Sequence, residues 1–507
     1  MENAFQIPYG GISIVIVLVS IIWYIKLRRP ARSPPLPPGP PGLPIVGNIP
    51  FLKPDLHVYF AGLARKYGPV FKLRLGAKLA VVVTSPEVVS EILKTHDVAF
   101  SNHDVTTTTL IAMYGGADIG WSPYGPEWRM LRKVCVNRLL SNSVLDSFYG
   151  LRRRESRQTV RYLASRARTG SPVKLGEQIF LTLFNIITQM LWGATVAGEE
   201  RKKTATEFKE LVSQIVGLIG RPNISDFFPG LSRFDLQGLA KQMRGLFEQF
   251  DQMFDRIIDQ RLKTDGQSKR DGEDFLQFML KFKDEEETST LSMTHVKALL
   301  MDLVLGGTGT SSSTIEFAMA ELITKPEMMK RVQQELDQVV GKDNIVEESQ
   351  IPKLPYLLAV IKETLRLHPA APLSVPRQPS ETTIVAGYTI PKDSKVFFNT
   401  WAIQRDLSLW EKPLEFNPER FLDKLYDFNG NDTSYLPFGF GRRICPGIPM
   451  AERMISYNLA TLLHSFDWKI PEGKRFEIEE EFQLALKLKN PLVAIPIPRL
   501  PNPNLYL

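Results

Sequence analysis

Cysteine is almost absent: two in 507 residues, Cys135 and Cys445, far apart in the chain. That excludes a disulfide framework and fits a reducing compartment. No internal repeat is visible, and no block of basic residues. The surplus of 62 Lys and Arg over 55 Asp and Glu gives a net charge of +7, but the charges are scattered and no nucleic-acid motif accompanies them. A charge of that sign suits an anionic membrane surface or an acidic protein partner. What is present is a large apolar fraction, 43%, against 23% charged residues, enough for a sizeable core.

Only the N-terminus has a long apolar run. Ile12 to Ile25 is nearly all apolar, and extending it back to Ala4 gives about 20 residues, roughly one bilayer span. Lys26, Arg28, Arg29 and Arg32 follow and hold that flank in the cytosol. A cleaved signal peptide needs a basic start and a small-residue cleavage site, and neither is visible. Residues 1–29 therefore read as a single-pass anchor. Residues 30–44 hold Pro34-Pro35-Leu36-Pro37-Pro38-Gly39-Pro40-Pro41 and read as a stiff polyproline hinge. Residues 45–507 read as one catalytic domain, mainly α with a minor β-sheet region.

Within that domain Val70–Leu75 and Leu79–Val83 alternate like two strands around Gly76. Glu207–Gly220, Leu239–Thr264, His295–Thr324 and Met328–Val340 carry apolar residues at helical spacing. The stretch near 103–125 reads as loop. Thr383–Val385, Tyr388–Ile390, Lys395–Phe398 and the segment from Phe482 to Ile497 read as strands.

The most informative ten residues are Phe438-Gly439-Phe440-Gly441-Arg442-Arg443-Ile444-Cys445-Pro446-Gly447. Glycine lets the backbone turn tightly and approach a flat ligand. A thiolate is a haem axial ligand that favours O–O cleavage, and N–H groups at the start of the next helix, near Pro449, would stabilise the anion. A lone cysteine is more often a small core hydrophobe, the reading that suits Cys135. At 445 the pattern F-x-x-G-x-R-x-C-x-G resembles the cysteine-ligand loop of the cytochrome P450 family, and its fixed positions all match.

The resemblance extends in order along nearly the whole chain, through the anchor, the proline hinge, Trp128-x-x-x-Arg132, a threonine-rich helix, Glu363-x-x-Arg366, Pro418-Glu419-Arg420-Phe421 and the cysteine loop. It implies the P450 fold and a haem whose iron is bound by Cys445. It implies cofactor contacts from Trp128, Arg132, Gly306, Gly307, Arg377, Phe438, Arg443 and Gly447. Arg and Trp donors match the geometry of haem propionates. Glu363, Arg366 and Arg420 would form a buried structural cluster. Thr310 would be the alcohol that holds dioxygen. The family places an acid just before that threonine, and here Gly309 stands instead.

The chain thus resembles a plant microsomal monooxygenase of terpenoids or flavonoids. The implied electrons come from NADPH through a cytochrome P450 reductase docking near Arg132, Lys133, Arg138 and Arg442. The implied setting is the endoplasmic reticulum membrane, with a monomeric cytosolic catalytic domain and a small apolar substrate. The competing readings are a reductase-independent haem-thiolate isomerase or dehydratase, and a non-catalytic membrane haem-binding protein.

Overall fold

The computed structural model describes residues 34–193, 198–264, 274–285, 291–424, 426–482 and 485–507. The expected anchor at 1–29 and the first residues of the hinge lie outside them. No helix among the described residues is long and apolar enough to cross a membrane.

The elements that position the site are helix α1 (Leu56–Tyr67), strands β1 (Val70–Leu75) and β2 (Lys78–Val83), and strand β3 (Asn102–His103). Next come α2 (Thr107–Ala112), α3 (Pro126–Val134), α4 (Leu175–Trp192), α5 (Met293–Thr324) and α6 (Pro355–Leu367). Strands β4 (Arg377–Gln378) and β5 (Lys395–Phe398), helix α7 (Ile448–Ser465), and strands β6 (Glu480–Phe482) and β7 (Leu486–Leu488) complete the set. The expected helices recur at Gly198–Ile219, Leu239–Thr264 and Pro326–Val339. One element that the sequence reading missed is α2, inside the stretch taken as loop. Thr106 caps it, accepting from the Thr109 N–H; six residues are too few for apolar periodicity to register.

The sheet runs β1-β2-β5-β4-β3. A tight turn at Gly76, φ +62°, joins β1 to β2. Strand β5 comes from over 300 residues later and pairs parallel to β2, Val82 opposite Phe397. Val81, Val83, Phe100, Phe398 and Phe440 form a core cluster behind it. This cluster ties the cysteine loop to the sheet, since Phe398 and Phe440 meet edge to face at 4.9 Å.

Helix α5 crosses the middle of the helical core and is about 48 Å long at 1.5 Å per residue. Ser292 begins it with a capping box: its hydroxyl accepts from His295 N–H, and the His295 ring accepts from Ser292 N–H. Its middle is poor helix material, three glycines among six hydroxyl residues. Packing overrides that composition, because Leu299, Leu300, Met301, Val304, Ile315, Phe317, Ala318 and Met319 are all fully or almost fully buried. The segment is α-helical throughout, hydroxyl residues included. The hydroxyls of Thr308, Thr310, Ser312 and Thr314 bond back to carbonyls one turn earlier.

One charged network went unseen in the sequence. His368, at the end of α6, lies between two carboxylates: Nδ1 is 2.6 Å from Glu480 of β6 and Nε2 is 2.8 Å from Glu321 of α5. Its ring stacks on Phe317 at 4.3 Å. Glu480 also accepts from Trp401 Nε1, at 3.0 Å, and from Arg405. The two carboxylates raise the His368 pKa despite burial, and His368 in turn lowers those of Glu321 and Glu480. A raised histidine value stabilises the fold below the ordinary histidine range, and that contribution fades as pH climbs through the raised value. The lowered carboxylates contribute above their ordinary range and lose this as pH falls. His368→Gln is therefore expected to destabilise the protein by about 2 kcal/mol near pH 6 and by clearly less above pH 8. Denaturant titrations at the two pH values check it; equal losses at both would show that the ring is neutral.

Candidate haem-thiolate site

The site begins where α5 rests on α7. A Cβ built on Gly307 would come within 2.7 Å of Ile187 and 2.8 Å of Met450. The absent side chain lets the ends of Ile187 and Met450 lie close against α5, and Met450 stands five positions after Cys445. Gly307, expected among the cofactor contacts, is buried in this packing. Its neighbours face the other way. Asp302, Leu305, Gly306, Gly309, Thr310 and Ser313 keep accessible surface in a stripe along α5, while 303, 304, 307, 308, 311 and 312 are buried. Nothing lies within 4 Å of a Cβ built on Gly306 or Gly309. A buried helix with one open stripe is the wall of an internal space.

Three residues before α7, the helix against which α5 rests, lies Cys445. It is enclosed by protein yet keeps accessible surface, as do 443–449 around it. The loop folds back through a hydrogen bond from Cys445 N–H to the Phe438 carbonyl, 3.0 Å. Gly439 and Gly441, φ +76° and +65°, turn the chain between them. Phe438 packs edge to face on Phe428, 5.1 Å away. Gly447 N–H donates to the Cys445 sulfur at 3.3 Å. Burial raises the thiol pKa, while the Gly447 N–H and the Arg132 charge lower it. A sulfur so placed is held as an anion by a bound cation.

Three arginines surround the loop. Arg377 is buried, donates to the carbonyls of Phe100 and Phe440 at 3.1 Å each, and burial pushes its guanidinium down to about 9. Arg443 donates to the carbonyls of Ser101, Ile119 and Ser122, lies 4.5 Å over the Trp128 ring, and is pushed down to about 10 by burial. Trp128 Nε1 donates to the same Ile119 carbonyl at 3.1 Å. Arg132, one turn further along α3, lies 5.9 Å from the Trp128 ring. Among the described residues, none of Arg132, Arg377 and Arg443 forms an ion pair with a carboxylate within 4.0 Å. Enclosed cations without a directly bonded carboxylate favour an anionic ligand, and the open stripe, the sulfur and these donors together fit haem and its two propionates.

The sequence-predicted cluster is present in full. Glu363 and Arg366 are both fully buried, joined by two bonds of 2.7 and 2.8 Å, and Arg420 Nε donates to Glu363 at 3.1 Å. Gln404 was missed: it bonds the carbonyls of Leu365 and Arg366 and accepts from Leu436 N–H at 2.9 Å, so it links the cluster to the cysteine loop. A single glutamine in a polar stretch carries no pattern that would reveal this.

A mostly helical fold with an enclosed cysteine just before one long helix, a second long helix with an open glycine-bearing stripe packed on it, and three arginines nearby is the arrangement of a haem-thiolate enzyme. Residues 37–495 match the cytochrome P450 family model, and the chain belongs to the cytochrome P450 family. It is 42% identical to a flavonoid 3'-monooxygenase of Crocosmia x crocosmiiflora over 96% of this chain and 97% of that one. It is 38% identical to a ferruginol synthase of Isodon rubescens, over 95% and 99%, and 39% identical to a geraniol 8-hydroxylase of Swertia mussotii, over 90% and 92%. A zebra fish cytochrome P450 solved with progesterone shares the fold, with a TM-score of 0.73 and 24% identity over 87% of this chain and 99% of that one. The chain is thus a cytochrome P450 monooxygenase, with haem on a cysteine thiolate, using dioxygen and NADPH electrons delivered by a reductase.

Proposed function

We propose that this enzyme hydroxylates a small apolar plant metabolite, a flavonoid or a terpenoid, in the cytosolic body of a protein anchored in the endoplasmic reticulum membrane by residues 1–29. The observation that carries it is the open stripe on α5, with Gly306, Gly309 and Thr310 on it, in the helix packed against the one that follows Cys445. Relatives named for flavonoid, ferruginol and geraniol chemistry support the substrate class. Haem bound there supplies oxygen activation and insertion into a C–H bond.

The chain's own residues divide the remaining work. Cys445 would ligate the iron, and Trp128, Arg132, Arg377 and Arg443 would hold the propionate edge. Gly306 keeps α5 low over the space. Thr310 donates a hydroxyl; in the structure it bonds the Gly306 carbonyl at 2.6 Å, so it must swing from that acceptor to serve dioxygen. Proton supply at the neighbouring position has no side chain to run through, because Gly309 offers none, and passes through water.

Incubation of reductase-containing microsomes with a panel of flavonoids and terpenes, read by mass spectrometry, tests the function. NADPH-dependent gain of one oxygen is expected; turnover without NADPH or reductase would establish the isomerase reading instead. Thr310→Ala is expected to lower product formed per NADPH by about tenfold, the worth of one hydrogen bond of 1.4 kcal/mol. Gly309→Asp should match or exceed the parent in the same ratio, since the space beside Gly309 is empty. Loss of all activity with haem retained would show that the glycine is required as such.

A further inference from the structure

Asp118 and Asp302 meet where the segment before α3 lies against α5. Asp302 Oδ2 accepts the Ile119 N–H at 2.8 Å, and Asp118 Oδ1 accepts the Trp121 N–H at 3.1 Å. The remaining oxygens border the same spot beside Gly120, each 3.4 Å from where a Cβ would stand, and the two carboxyl groups are within hydrogen-bonding reach of each other. Asp118 is fully buried, and its Oδ2 has no hydrogen-bond donor. Two carboxylates are acceptors only, so facing each other they leave that oxygen orphaned. One proton between them satisfies both.

We propose that Asp118 and Asp302 share a single proton at neutral pH, and that this carboxyl–carboxylate clasp fixes segment 118–122 to α5 and so positions the donors at the haem edge. The link to that edge is the Ile119 carbonyl. Its own N–H is held by Asp302, and it accepts from both Trp128 Nε1 and Arg443. If the clasp opens, both donors lose a shared anchor. Asp118 and Asp302 are positioning residues in this scheme, and the scheme rests on the propionate role proposed for Trp128 and Arg443.

The titration agrees with the geometry. Burial raises the Asp118 value to about 6, and burial together with Asp118 raises that of Asp302 well above the carboxylate range. The pair therefore releases its protons in two separated steps. Arg443 faces Asp118 from the cysteine loop, and Cys135 faces Asp302 from the turn after α3, with Arg132 beside it. Burial holds Cys135 as the neutral thiol and Arg443 stays cationic up to about 10, so neither changes charge between pH 7 and 9. Because the folded values are raised, the pair's contribution is full below the ordinary carboxylate range and falls as pH rises.

Amide exchange and haem release test this in the full-length holoenzyme. Asp302→Asn is the decisive variant. Its amide oxygen still accepts from Ile119, and its NH2 donates to Asp118 without any proton to lose. In the parent, exchange protection of the Ile119 and Trp121 amides, read as the ratio to Asp302→Asn at each pH, should fall between pH 7 and 9. The limit is tenfold per pH unit for one proton. Transfer of haem to excess apomyoglobin should accelerate in parallel, while Asp302→Asn stays flat. Asp302→Ala should be fast at every pH. A parent-to-Asn ratio that does not change with pH would overturn the shared proton. A changed exchange ratio with unchanged haem transfer would overturn the positioning role and, with it, the assignment of Trp128 and Arg443 to the propionates.

Discussion

Cys445→Ala is expected to yield a folded, colourless, inactive protein. The sulfur is the only thiol in the wall of the internal space among the described residues, since Cys135 is wholly buried in the helical core. Alanine deletes the donor and leaves no other side chain in the loop able to replace it, because 438–447 otherwise offers Phe, Gly, Arg, Ile and Pro. Fold loss is not expected: the loop is held by Phe440 in the sheet core, by Arg377 on the Phe440 carbonyl and by the Cys445 N–H on Phe438, none of which uses the sulfur. The measurement is haem content beside a far-ultraviolet circular dichroism spectrum. In the parent, the carbon monoxide difference spectrum should show thiolate ligation. A parent Soret band of the nitrogen-ligated type, or a variant that keeps haem and turnover, would remove sulfur from the mechanism.

Much of this site was legible because its chemistry is packed into short sequence windows. The cysteine loop and Trp128-x-x-x-Arg132 each sit within one element, so spacing alone places their groups together. The long helices and the β1–β2 pair were readable for the same reason: the periods 3.6 and 2 show in any window long enough to hold two turns or three alternations. What could not be read is what the fold brings together from afar. His368 reaches Glu321 and Glu480 from α6, α5 and β6, and Asp118 reaches Asp302 across nearly two hundred residues. Neither contact has a local pattern. Gly306 and Gly307 lie in one motif, but one step along a helix turns a residue by about 100°, so Gly306 keeps an open flank while Gly307 lies beside Ile187 and Met450. The motif named the pair; only packing told them apart.

Glu363→Ala is the second large effect, and it acts on stability rather than chemistry. Oε1 accepts from Arg366 Nη2, Arg420 Nε and Asn417 N–H, and Oε2 accepts from Arg366 Nε. Arg366 spends its other donors on the carbonyls of Gln404, Pro413 and Glu415. It is fully buried, so without Glu363 its charge has no nearby anion but cannot reach water. Breaking a buried pair in this way costs about 3–5 kcal/mol, a large share of a marginal total. The damage should travel, since Arg366 and Gln404 together hold Leu436, which leads into the cysteine loop; haem retention should fall along with the unfolding midpoint. Glu363→Leu with Arg366→Leu separates charge from packing. Removing both members of the pair strands only Arg420, which keeps some contact with water and still donates to the carbonyls of Glu411 and Glu415, so the double variant should be more stable than Glu363→Ala alone. Chemical denaturation of the three proteins decides it. If the double variant proves the least stable, the cluster acts through its hydrogen bonds to the surrounding carbonyls, and the penalty for an unpaired buried cation is not what locks α6 to the loop.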